Sequence, residues 1–173
     1  MTRQFLTPDW SETETHYLIR LLIQEDMDRQ INAGEPDVYE GLKGELEEFD
    51  SSPHGPTIEV GYVPSTKFRK IQFKLFSAMR KFNPTGDEEM SFEDIPDEYI
   101  EDSMAWSWEM AKWGIRSHTT DAPAFEESLV NGRKHQVAPD SLLQALEMQG
   151  ILPRVARLVQ DFNRLDPQKK KGS

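Results

Sequence analysis

The chain has 173 residues, a length that suits one domain with one core. Hydrophobic residues make up 36% of it and aromatics 10%, enough apolar surface to offset chain entropy, so wholesale disorder is excluded. With no cysteine and a net charge of −11, disulfides, thiolate metal sites and cysteine nucleophiles are excluded, and adhesion to polyanions such as nucleic acid or anionic membrane is opposed.

The first segment, MTRQFLTPDW, lacks the apolar stretch of a signal peptide, and the apolar runs are far too short to cross a bilayer, so a cytoplasmic setting is expected. Ser11 and Glu14 form a capping-box pattern that predicts a helix start. Ile19, Ile23, Met27 and Ile31 continue it at helical spacing until Gly34 and Pro36. A short acidic helix is predicted from Pro36 to Phe49, with Tyr39, Leu42, Leu46 and Phe49 as its apolar stripe. Residues 57–63 alternate Ile58, Val60 and Tyr62 with polar residues or glycine, the period of a half-buried strand.

From Ser65 to Phe82, Phe68, Ile71, Leu75, Met79 and Phe82 predict a helix, although Ile71, Phe73 and Leu75 also alternate as in a strand. Asp97 to Ile115 predicts a helix with two apolar stripes, one through Ile100, Met104, Trp108, Ala111 and Ile115, the other through Tyr99, Trp106, Met110 and Trp113. Apolar character on two sides is the mark of a helix in the middle of a core. Asn131-Gly132 between short runs predicts a hairpin over residues 126–137. Two more helices follow, one from Pro139 or Asp140 to Met148 and one from Pro153 to Leu165. The expected fold is therefore α+β and mainly α: five to six helices around a Trp-rich central helix, with residues 57–63 and the hairpin in a small antiparallel sheet. Residues 1–166 read as one globular domain and 167–173 as a flexible basic tail.

Charge is segregated. Lys67, Arg69, Lys70, Lys74, Arg80 and Lys81 occur with no acid between them, and Asp87, Glu88, Glu89, Glu93, Asp94, Asp97, Glu98, Glu101 and Asp102 follow with no base between them. Two readings stand side by side: the acids fold back to neutralise the basic helix, or they form the surface that meets a basic protein partner. A cation site is weaker, since no Asp-x-Asp-x-Asp-Gly loop occurs.

No residue set carries chemistry. His16, His54, His118 and His135 lack the i, i+4 spacing of metal ligands. His118-Thr119-Thr120 matches the His-x-Thr of two-histidine phosphoesterases, but no second copy exists, and a turn or cap role is the simpler one. Phosphate-cradling glycine loops and the nucleophile elbow are absent from the sequence. The expectation is a non-enzyme with no catalytic residues, no cofactor and no metal. Trp106, Trp108 and Trp113 are expected in the core rather than in a ligand pocket.

The stretch from Met104-Ala105-Trp106-Ser107-Trp108-Glu109-Met110 through Asn131-Gly132-Arg133 to Gly150-Ile151-Leu152-Pro153-Arg154 and Phe162-Asn163 resembles small accessory proteins of tailed bacteriophages. That resemblance implies work through protein surfaces, as virion-assembly factors and host-defence inhibitors do, and the host cytoplasm as setting. The expected function is protein–protein interaction, as in a phage virion or tail assembly factor. The alternative is an acidic inhibitor that imitates nucleic acid and blocks a host defence or DNA-binding protein, with Asp87 to Asp102 and Glu45 to Asp50 as its surface.

Overall fold

The computed structural model describes residues 11–82 and 95–164. In chain order the elements are β1 (Thr13–Tyr17), α1 (Leu18–Ala33), α2 (Pro36–Ser51), β2 (Thr57–Gly61), α3 (Ser65–Phe82), α4 (Asp97–Gly114), β3 (Ile115–His118), β4 (Glu126–Val130), β5 (Arg133–Val137), α5 (Asp140–Met148) and α6 (Leu152–Asn163). The fold is α+β and mainly helical, with a three-stranded antiparallel sheet in the order β1-β2-β3 and a separate two-stranded hairpin, β4-β5.

Two sequence expectations are corrected here. The capping box at Ser11 does not start a helix: Thr13–Tyr17 pairs with β2 in the register Thr13↔Gly61 to Tyr17↔Thr57, and α1 begins only at Leu18, whose N–H donates to the Pro56 carbonyl at 2.9 Å. β-branched Thr13 and Thr15 favour that extended backbone, and β2 satisfies its polar groups. Nor does the hairpin join β2. Both edges of β2 are occupied, by β1 and by β3, whose residues were read as the end of α4 and a turn. The hairpin closes on Asn131 and Gly132 with φ of 51° and 74°, the positive pair a two-residue primed turn requires, and Val130↔Arg133 flanks it.

One continuous core joins the elements. Ile58 and Val60 of β2 are fully buried in the same cluster as Met110, Ala111 and Ile115, and Leu152, Val155, Ala156 and Val159 of α6 close over α4. In α4, Trp106 and Trp113 are buried, Trp108 and Met104 are partly covered, and Ile100 is exposed, so the apolar wrapping expected around the whole helix holds only for its second half. Gly114 permits the closest approach of α4 to α6: a Cβ there would fall 2.1 Å from Val159 Cγ1.

Asn163 ties the last turn of α6 to the end of β2. Its Oδ1 accepts from the Val63 N–H at 2.8 Å, while Nδ2 donates to the Gly61 carbonyl at 3.1 Å and to the Val159 carbonyl at 2.7 Å. An amide side chain can do this because it carries acceptor and donor side by side, as a peptide group does. The pair of helices α1 and α2 is held by Arg20, whose Nε and Nη2 donate to the two Asp50 carboxylate oxygens at 2.8 and 3.2 Å. Arg154 of α6 reaches back to Glu25 and Asp28 of α1.

His16, expected in the first turns of α1, lies on β1 opposite Ile58. Its Nε2 is buried and lies 3.5 Å from Glu14 Oε1, within ion-pair range yet without hydrogen-bond geometry. Burial pushes its pKa below the usual 6.5; Glu14 acts in the opposite sense, and Arg20 lowers it further. The folded chain thus holds this proton less well than the unfolded chain, so the stability contributed by neutral His16 is complete above about pH 6.5 and is lost as pH falls from there through the lowered value. Thermal unfolding followed across that window should show a falling midpoint on acidification, and His16→Gln should flatten the slope; identical slopes would refute the assignment.

Candidate functional site

Helix α3 is amphipathic, and its apolar residues are not all spent on the core. Ile71 and Ala78 are buried against α4 and Phe68 and Leu75 are partly covered, but Phe73 is 72% exposed, Phe76 52% and Met79 43%. Met79 was expected on the buried stripe. It fails to be buried because α3 packs on α4 along one side, and two successive steps of four, from Ile71 to Leu75 to Met79, carry the stripe round toward solvent, while Ala78, three residues beyond Leu75, stays buried.

Between α3 and α4 runs a groove of about 610 Å³. Ile71, Ala78 and Trp106 contribute its apolar lining, Phe73 stands at one lip, and Lys70 and Lys74 line it as cations. Trp106 is buried to 8% exposure and its indole N–H has no acceptor among the described residues. Two ion pairs cross between the helices, Lys67 with Glu109 at 3.2 Å and Lys81 with Glu98. The Lys67 ammonium also stands 4.7 Å from the Trp113 ring centroid, a cation–π distance. Arg69, Lys70, Lys74 and Arg80 have no ion pair among the described residues. Among the described residues the groove thus joins apolar area, a donor without an acceptor and lysines without an ion pair, with Asp102 and Glu109 as its carboxylates.

The acidic run is only partly placed. Asp87, Glu88, Glu89, Glu93 and Asp94 lie outside the described residues. Asp97, Glu98, Glu101 and Asp102 occupy the first turns of α4, all exposed, where negative charge suits the helix dipole. Glu98 is engaged by Lys81, and Asp102 lines the groove. Of the described acids of this run, Glu98 alone makes an ion pair with the basic helix.

The histidines are placed in separate environments. His118 has both ring nitrogens engaged, Nε2 with the Pro123 carbonyl at 3.1 Å and Nδ1 with Thr120 Oγ1 at 2.9 Å. Nε2 must carry the proton to bond a carbonyl, so Nδ1 accepts from the hydroxyl and neither nitrogen is left for a substrate. His54 Nδ1 donates to the Ser52 carbonyl at 3.0 Å and its ring packs on Phe49. His135 sits edge-on to Trp113. Among the described residues no group of three or more His, Asp or Glu could hold a metal ion, and no helix is long and apolar enough to cross a membrane.

The comparisons with known proteins add no assignment: no family model, no curated protein and no solved structure matches this chain. Sequence reasoning missed the groove because it placed the α3 stripe wholly in the core; the signal available was Phe73 and Phe76, which lie off that stripe and among the basic residues.

Proposed function

We propose that the protein works by binding another protein, without chemistry of its own, and that the α3–α4 groove receives an acidic amphipathic segment of that partner. One observation carries the reading: a large apolar side chain, Phe73, stands exposed in the lining of the groove beside Lys70 and Lys74, which have no ion pair among the described residues, and Phe76 is exposed one turn on along α3. Exposed aromatics next to a concave apolar surface are the kind of anchor that dominates interface energies, and the helix-in-groove mode is the simplest that uses them. The cations select the sign of the partner and speed its approach. An assembly factor of a tailed-bacteriophage virion, working in the host cytoplasm, fits this mode of action.

The experiment is capture of the partner from the source cells by the wild type, by Phe73→Glu/Phe76→Glu, and by Leu129→Glu, which alters an exposed apolar residue of the hairpin. The expected result is loss of capture by about thirtyfold in affinity for the α3 variant, the size of an anchor residue's contribution, and retention by the hairpin variant. Equal capture by all three overturns the reading. Lys70→Glu/Lys74→Glu should weaken the same complex; a tighter complex would mean a basic partner.

A second reading, an acidic inhibitor that imitates nucleic acid, is favoured by the exposed acids Asp97, Glu98, Glu101 and Asp102 on α4 and Glu45, Glu47 and Glu48 on α2. It is distinguished by competition with DNA for a basic protein and by steep weakening with salt.

A further inference from the structure

A second cleft, of about 750 Å³, opens between the start of α3, β3 and the tip of the β4–β5 hairpin. Its lining includes Arg116, Arg133 and His135 together with Ser65, Thr66 and Asn131, and no carboxylate among the described residues. In a chain of net charge −11, a cleft lined by cations and hydroxyls without an acid runs against the composition.

Arg116 gives the cleft its character. The β2–β3 register runs Ile58↔His118 and Glu59↔Ser117 and then jumps to Val60↔Ile115, so Arg116 is the extra residue of a bulge, with no partner across the ladder. A bulge re-aims the side chain it carries, which is why bulges gather beside functional sites. Here the Arg116 side chain lies over Gly61, where an added Cβ would stand 2.8 Å from Cγ and 3.2 Å from Nε. Its guanidinium has no ion pair among the described residues, and burial lowers its pKa with no acid to counter the effect. A partly desolvated arginine without a carboxylate partner is suited to take an anion.

The start of α3 adds to this. Its first turn contains no acid, and Pro64, whose carbonyl accepts from the Phe68 N–H at 2.9 Å, offers no side-chain oxygen to cap it. First-turn amides have no intrahelical acceptor and carry the positive end of the helix dipole. Asn131 Nδ2 donates to Thr66 Oγ1 at 3.4 Å and so pins the hairpin tip, with Arg133 behind it, to this helix end.

We infer that this cleft is an anion site for a phosphate dianion, free or at the head of a small monoester, gripped by Arg116 and Arg133 at the N-terminus of α3. Two guanidinium forks and hydroxyl donors from separate elements suit a tetrahedral oxyanion with several acceptor oxygens better than a planar carboxylate, which one fork satisfies. The site is independent of the α3–α4 groove and does not rest on its reading.

Titration calorimetry of the full chain with inorganic phosphate and, separately, with O-phosphoserine tests it, at fixed ionic strength. The expected result is saturable binding of at least one probe by the wild type, weakened by at least about tenfold in Arg116→Met and in Arg133→Gln. Gly61→Ala should weaken it as well by displacing Arg116, and keeps the test decisive if Arg116→Met does not fold. Lys134→Gln, on the same hairpin but paired with Glu127 and absent from the lining, should bind as the wild type does. Tighter binding of O-phosphoserine identifies a monoester, and tighter binding of inorganic phosphate identifies the free ion. No saturable binding of either probe, or binding that Lys134→Gln reduces as much as Arg116→Met does, overturns the assignment.

Discussion

Asn163→Ala is expected to lower the free energy of unfolding by about 3 kcal/mol, because it strands two buried backbone groups at once. Val63 is 1% exposed and Gly61 is buried, so water cannot replace the lost partners of the Val63 N–H and the Gly61 carbonyl. Each unsatisfied group costs about 1–3 kcal/mol, and the bond to the Val159 carbonyl is lost besides. Urea unfolding measures the effect. Arg164→Ala, one residue on and exposed, is the control and should change stability by no more than about 0.5 kcal/mol. If both variants unfold at the wild-type midpoint, Asn163 is not the tie described here.

The second large effect is expected at Gly114. A methyl group added there meets Val159 Cγ1 at 2.1 Å, Cγ2 at 2.6 Å and Cβ at 2.8 Å, and Val159 is itself fully buried. No rotamer of so short a side chain clears all three contacts, so α4 and α6 must move apart, and Gly114→Ala should cost about 1–3 kcal/mol as overpacking. The decisive measurement is a double-mutant cycle. Val159→Ala alone should cost about 2 kcal/mol through the space it leaves. In the double variant the new methyl occupies part of that space, so the two losses should sum to less than additivity by about 1 kcal/mol or more. Strict additivity would show that the helices are not in contact at this point.

The parts of the fold that were legible in the sequence are those with a strong local signal. The helix over Ser65–Phe82, the Asn131-Gly132 turn and the helix begun at Asp140 each carry a local signal that tertiary context does not oppose. β1 was not legible. Thr13, Glu14 and Thr15 are exposed on an edge strand, so no apolar residue marks the alternation, and Ser11 with Glu14 imitates a helix start. β3 was hidden for the opposite reason: Ile115 continues the α4 stripe by one more step, although its backbone has already turned extended.

The candidate sites were less legible than the fold because both are made between elements. Arg116 looks like any basic residue after a helix until the register jump at Val60 sets it apart from the ladder. Phe73 and Phe76 lie off the α3 stripe, and only the neighbours of α3 decide whether anything covers them. The acidic run was conspicuous as a sequence, and its described part does make one cross-helix ion pair, Glu98 with Lys81.

The tie made by Asn163 also orders events during synthesis. β2 is made early, yet the Val63 amide and the Gly61 carbonyl find their partner only a hundred residues later. A ribosome-bound chain that stops short of residue 152 also leaves the face of α4 that meets Leu152, Val155 and Val159 open to water. The native arrangement is therefore reached after the last helix clears the exit tunnel, and until then the nascent chain presents an oily surface of the kind that holdase chaperones recognise.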